Sequence, residues 1–223
     1  ASVVTQDLIY TVDGAGYQPA GSISLADQPV DLSSHPALAE LGRAACLCND
    51  AVLRQHEDLW KVEGDPMEGA LLAFSGKTGI VSDEVHQAWP RTDAIPFDAK
   101  HRFMATLHHN HARHASIYVK GAPEQILAMC TKQFVNAGGT EPLNANYWHE
   151  QANTIAAKGQ RVLAFAMRSV PPEQTVLEFE DVQGGLTLLG MVGLIDPPRP
   201  ETIKAVQQCQ AAGIVVKMIT GDH

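Results

Sequence analysis

Short apolar runs broken by turn residues fill the first thirty positions: Leu8, Ile9, Tyr10 and Val12, then Asp13, Gly14, Ala15 and Gly16, then Tyr17 and the stretch from Gly21 to Leu25. This alternation predicts strands joined by a tight turn. Pro36 opens a different period, with Leu38, Leu41, Ala45 and Cys48 on one face of a helix that Asn49 and Asp50 close. A short strand over Trp60 to Glu63 precedes Asp65 to Phe74, which has the chemistry of a helix start. Asp65 stands at the N-cap, Pro66 at the first helical position, and Glu68 where a capping box reaches back to the Asp65 amide. Strands are predicted over Ile95 to Phe97, Arg102 to Leu107 and Ser116 to Lys120, the last two joined as a hairpin through a polar loop, His108 to Ala115. Helices are predicted from Pro123 through Cys130 and from Asn144 to Lys158 and Gly159. Arg161 to Met167 reads as a strand, Pro171 to Gly185 as an irregular connection, and Leu186 to Ile195 as a strand with almost no polar residue.

Asp196, Pro197, Pro198, Arg199 and Pro200 interrupt this pattern. Proline fixes the backbone and removes ladder donors, as a hinge between domains requires. Beyond it come a helix, Glu201 to Ala212, a Gly213 cap, and a β-branched strand, Ile214 to Ile219, ending in Thr220, Gly221 and Asp222. A strand apolar throughout belongs in a parallel sheet covered on both faces. The expected division is one domain over 1–195, a hinge over 196–200, and the broken-off start of a second domain over 201–223.

Length agrees with that division: 223 residues amount to about one and a half ordinary domains. With 45% hydrophobic and 18% charged residues the chain is globular rather than disordered. Its 16 basic against 25 acidic residues, a net −9, argue against a nucleic-acid-binding face. The longest apolar stretch, Leu186 to Ile195, is about half of what a spanning helix needs, and no secretory leader is expected after Ala1. Cys46 and Cys48 lie too close for an ordinary bridge, which together with Cys130 and Cys209 suggests a reducing compartment.

Candidate chemistry is thin when each position is read alone. Thr220, Gly221 and Asp222 follow the carboxyl end of an apolar strand, where open α/β sheets place ligands. Lys120 ends an apolar strand beside Gly121, so an ammonium could meet a phosphate, although strand-end lysines are commonly just solvated. Phe97 reads as core. His108, His109, His111 and His114 invite a metal reading, but no cysteine or carboxylate accompanies them. Gly76, Lys77, Thr78 and Gly79 lack the remainder of a phosphate loop.

Taken in order, several segments resemble the cytoplasmic nucleotide-binding domain of P-type ATPases, in particular the calcium-pump-like type II cation transporters. They are Cys48-Asn49-Asp50; Gly64-Asp65-Pro66-Met67-Glu68-Gly69-Ala70-Leu71; Pro96-Phe97-Asp98 with Met104; Lys120-Gly121-Ala122-Pro123-Glu124; Arg161-Val162-Leu163-Ala164; Asp196-Pro197-Pro198-Arg199; and Thr220-Gly221-Asp222. The resemblance implies an α/β (α+β) fold, with a twisted, mainly antiparallel sheet flanked by helices and a partial haloacid-dehalogenase-like helix and strand at the C-terminus. It also implies that Phe97 stacks on adenine, Glu68 lines the adenine side, Lys120 lies at the pocket floor, Gly121 leaves room for the base, and Arg161 reaches the phosphates. Where some relatives reach a phosphate with a basic residue, this chain has Ala99, and the contact falls to Lys100 or Arg102. His101 and Arg102 also stand where relatives often carry an arginine and a lysine.

The implied activity is transfer of the ATP γ-phosphoryl group to an aspartate, with Mg2+, coupled to ion movement. That aspartate is expected before Ala1, so no catalytic residue and no metal ligand is assigned here. Asp196, Arg199, Thr220, Gly221 and Asp222 would belong to the hinge and phosphorylation-domain side. The implied partners are ATP and the remaining domains of a membrane pump, of which this would be a cytoplasmic piece. The segment after Pro200, lacking sheet neighbours, is expected to pack against the first domain, to pair with another copy, or to be poorly ordered. Two readings of other classes are a haloacid-dehalogenase-like phosphatase with a large cap, suggested by Asp222, and a metal-binding module on the histidine loop.

Overall fold

A computed structural model describes residues 1–14, 16–57, 59–195 and 200–217. The sheet begins with β1 (Ser2–Thr5), β2 (Leu8–Val12), β3 (Ile23–Leu25) and β4 (Gln28–Pro29), followed by α1 (Pro36–Leu47). A separate hairpin, β5 (Val52–His56) and β6 (Leu59–Glu63), leads into α2 (Pro66–Lys77) and α3 (Ser82–Ala88). Next come β7 (Arg91–Asp98), β8 (Phe103–His109), β9 (Ala115–Gly121), α4 (Pro123–Met129), β10 (Cys130–Phe134) and β11 (Thr140–Pro142). The remaining elements are α5 (Ala145–Ala156), β12 (Arg161–Val170), β13 (Leu186–Leu194) and α6 (Pro200–Ala211).

Nine strands follow the order β4-β3-β2-β1-β13-β12-β9-β8-β7, with β10 and β11 branching from β13, among the described residues. Pairing is antiparallel apart from β10 beside β13. β1 lies against β13 with Ser2 opposite Gly193. Helices cover both faces, which is why β8 and β9 are buried along nearly their whole length. On one face Ile126 and Leu127 of α4 and Trp148 and Ile155 of α5 pack on Ala105, Leu107, Val119 and Ala164. On the other, Leu38, Leu41 and Leu47 of α1 and Leu71 and Phe74 of α2 pack on Met104, Tyr118, Phe165 and Val192. Burying a side chain such as Leu41 or Phe165 contributes about 1.5–3 kcal/mol.

Local chemistry sets the helix starts. Proline occupies the first turn of α1, α2 and α4, where its missing N–H costs no hydrogen bond. The Asp65 carboxylate caps α2 by accepting from the Met67 and Glu68 amides at 2.8 and 3.2 Å, and Asn144 caps α5 through the Tyr147 amide at 3.2 Å.

Two expectations are corrected, and one set of alternatives is narrowed. His108 and His109 are not in a solvated loop: they continue β8, and His108 is fully buried, with its Nδ1 at the Trp89 carbonyl and its ring edge-on to Tyr118. The described part of the expected C-terminal strand, 214–217, has no regular structure, and Val215 is 78% exposed. With no neighbouring strand to complete its ladder, an isolated extended segment does not hold. Nor does this segment pack on the preceding domain, and along α6 only Val206 and Cys209 are half-buried among residues 201–211. Asp196, Arg199, Thr220, Gly221 and Asp222 lie outside the described residues.

Candidate functional site

The β7–β8 hairpin sets the direction of Phe97. Ile95 pairs with Ala105 and Asp98 with Phe103, so β7 carries one residue more than β8 between these two pairs. Ile95, Ala105 and Phe103 all belong to the core under α4 and α5. Asp98, opposite Phe103, shares that side, and the extra residue turns Phe97 to the opposite face, that of Met104. Without the bulge, strict alternation would carry Phe97 after Ile95 into the far core. Instead it is 62% exposed, not the core aromatic that its strand position suggests.

Lys120 stands on the same face, between Met104 on β8 and Phe165 on β12. It is only 6% exposed, so the reading of a solvated strand-end lysine does not hold. Its ammonium donates to Glu68 Oε1, and Glu68 Oε2 accepts from the Asp50 amide at 3.0 Å. The Glu68 carboxylate therefore leaves the helix cap to Asp65 alone, and the capping box is corrected to a single N-cap. A buried ammonium without a counter-charge costs several kcal/mol, far more than one solvent-reachable amide at a helix start.

The turn after α1 supports this pair. Asn49 Nδ2 donates to the carbonyls of Ala45 at 3.1 Å and Glu68 at 3.0 Å, and its Oδ1 accepts from the Ala51 amide at 2.9 Å. Arg91, the first residue of β7, donates to the Leu47 and Asn49 carbonyls at 3.3 and 2.5 Å and to Asp50 Oδ1 at 2.6 Å. Sequence carries no sign of this, because the partners lie 41 positions or more apart and Arg91 stands outside the strand predicted over Ile95 to Phe97. The Cys48 thiol donates to the Met104 carbonyl, and burial pushes its pKa up, so it is a neutral packing group.

Gly121 closes β9 opposite Phe103 and Ala164. A Cβ there would lie 2.4 Å from the Arg102 carbonyl oxygen and 2.8 Å from Phe103 Cβ, so the fold itself demands glycine. Arg102 sits in the hairpin turn at φ 57° and pairs with Glu124 in the first turn of α4 at 2.6 Å, both side chains about half exposed. Arg161 begins β12 opposite Leu194. With Glu124, His149, Asn153 and Gln160 it lines a cleft of about 570 Å³. Predicted residues thus fall into two groups: Phe97, Glu68 and Lys120 on the α1–α2 face, and Arg102 and Arg161 around Glu124. Among the described residues no three His, Cys, Asp or Glu side chains gather to hold a cation. The four histidines are dispersed: His108 Nδ1 meets the Trp89 carbonyl, His109 Nδ1 meets Thr92 Oγ1, and His114 meets Asn110.

The model of the family described as "P-type ATPase, cytoplasmic domain N" matches residues 37–201, roughly three-quarters of the chain. The chain belongs to the P-type ATPases. The part of that family it represents is the cytoplasmic N domain. The chain is 42% identical over 219 residues to the cation-transporting ATPase pma1 of Synechocystis sp., covering 96% of this chain and 24% of that protein. It is 32% identical to the calcium-transporting ATPase of Bacillus subtilis, over 96% of this chain and 24% of the relative. Against the human calcium-transporting ATPase type 2C member 1 it is 35% identical, over 99% of this chain and 23% of the relative. The chain therefore spans about a quarter of the length of these relatives. Among the described residues no helix is long and apolar enough to cross a membrane.

Proposed function

We propose that this chain is the ATP-binding lobe of a cation-transporting membrane pump, holding ATP for transfer of its γ-phosphoryl group to an aspartate outside the chain. The observation that carries this reading is an exposed aromatic, Phe97, turned by a bulge onto the same sheet face as a buried Lys120–Glu68 pair. An exposed aromatic face offers a base a stacking surface, and Lys120 and Glu68 offer a donor and an acceptor to its edge. The relatives' names support the pump as a whole. Arg102 and Arg161 supply local positive charge for phosphates in a chain of net charge −9. Arg102 is held by Glu124, so it would have to exchange that partner for phosphate, and Arg guanidinium accommodates either through the same planar fork.

Residues 1–195 form the binding unit in this reading, 196–200 the hinge, and 201–223 the start of the phosphorylation domain, to which Asp196, Arg199, Thr220, Gly221 and Asp222 belong. The described residues offer Mg2+ no cradle of their own, and the ion would arrive on the phosphates. The chain's contribution is orientation: it fixes the nucleotide so that a bimolecular encounter becomes a positioned one.

Titrating ATP into the 15N-labelled chain tests the reading. Amide shifts should concentrate at Phe97, Lys120, Gly121 and Glu68. Phe97→Ala should weaken binding by about 1–3 kcal/mol, the value of one stacked base, while leaving the unfolding free energy within about 0.5 kcal/mol of wild type, as for other exposed positions. Absence of a saturable response, or one indifferent to Phe97→Ala, would sink it.

A further inference from the structure

Lys120 and Glu68 hold their geometry through a relay that begins at Arg91. The last carbonyls of α1 have no intrahelical donor, and Arg91 supplies it, spanning the Leu47 and Asn49 carbonyls and Asp50 Oδ1 from the start of β7. Asn49 ties the same turn to α2 through the Glu68 carbonyl. Held from both sides, the Asp50 amide is aimed at one oxygen of the Glu68 carboxylate, which leaves the other for the Lys120 ammonium. A carboxylate bound at only one oxygen can rotate, whereas one bound at both cannot without breaking a charge-assisted hydrogen bond.

We propose that Arg91 is a positioning residue for nucleotide binding, acting through Asp50 and Glu68 to fix the Lys120 ammonium, without touching the nucleotide. This rests on the nucleotide reading above. Two features separate it from simple packing. Arg91 is about 29% exposed at its side chain, lining a cleft of about 710 Å³ with Asp50, Trp60 and His86. Every acceptor it contacts belongs to the single turn that presents the Asp50 amide. Arginine is required because only a guanidinium reaches several acceptors in one plane, whereas a lysine at the same place satisfies one acceptor at a time.

Three ligands and three proteins, wild type and two Arg91 variants, test the relay. Binding of adenosine, ADP and ATP is measured by calorimetry for wild type, Arg91→Ala and Arg91→Lys, and the Lys120 side-chain NMR signal is followed in each without ligand. The expected result is about a tenfold loss of affinity for Arg91→Ala, the worth of a hydrogen bond to a charged group. The factor should be the same for all three ligands, because the Lys120–Glu68 pair serves the base end in this reading. Arg91→Lys should recover only part of the loss, and the Lys120 signal should move in both variants. A loss that grows from adenosine to ATP overturns the proposal, since Arg91 would then be attracting phosphate directly, and so does an unmoved Lys120 signal. Should Arg91→Ala fail to fold, Asp50→Asn removes the ion pair from the same turn and must shift the Lys120 signal in the same sense. If the wild-type chain binds none of the ligands, the nucleotide reading fails, while the Lys120 signal still decides whether the relay exists.

Discussion

The two ion pairs near the hairpin differ in the medium that surrounds them. Lys120 and Glu68 meet with side chains 7% and 14% exposed, whereas Arg102 and Glu124 meet half in water at 52% and 54%. Inside, each charge is needed by the other, and the geometry is fixed by what an unpaired charge would cost. Outside, water competes for both partners, so the pair is weak and exchangeable. The inner pair is suited to shaping a pocket, and the outer one to releasing an arginine when a stronger anion comes.

The sharpest way to break this contrast is to delete one charge from each pair. Lys120→Ala leaves Glu68 without its ammonium and should cost about 3–5 kcal/mol in urea unfolding. A loss below about 1 kcal/mol would put the inner pair in the same class as surface pairs. The pH dependence of the inner face comes next. Burial pushes the His108 pKa down to about 4 from an ordinary 6.5, so the fold holds the ring neutral. The unfolded chain takes up a proton on His108 as pH falls below about 6.5 and the native chain does not until about 4. Stability from this group is therefore complete above 6.5 and is lost as pH falls through that window. Between neutral pH and about pH 5 the loss should be about 2 kcal/mol, and His108→Gln should flatten that part of the profile when unfolding is measured at both ends. Smallest is Arg102→Ala, which should change stability by less than about 1 kcal/mol. A larger drop would mean that the outer pair holds α4 on the hairpin.

Sequence exposed the parts of this arrangement that depend on neighbouring residues. Asp65 and Pro66 marked the start of α2 because a cap and a first-turn proline act within four positions. Lys120 drew notice because it ends an apolar strand directly before Gly121. The bulge that turns Phe97 could not be seen, since it is a property of register between β7 and β8 and not of either segment. β10 was hidden for a different reason. Its inward Gln133 is 3% exposed and serves as a hub, accepting from Trp148 Nε1 at 2.8 Å and the Asn144 amide at 2.9 Å and donating to Glu141. A buried polar residue erases the hydrophobic alternation by which strands are recognised. Arg91 combined both difficulties, being polar and paired at long range.

The pairing of Ser2 with Gly193 on β1 and β13 has a mechanical side. Because these strands run antiparallel, residues 1 and 195 leave the sheet at the same end, as a two-ply strap. Tension that draws the two plies apart loads the ladder as a zipper, one pair at a time beginning at Ser2. Tension applied to both plies together pulls on the whole sheet as one body. In the reading proposed above, with 196–200 as the hinge, the sheet would be swung as a unit by its strap, yet opened from that end by a much smaller force.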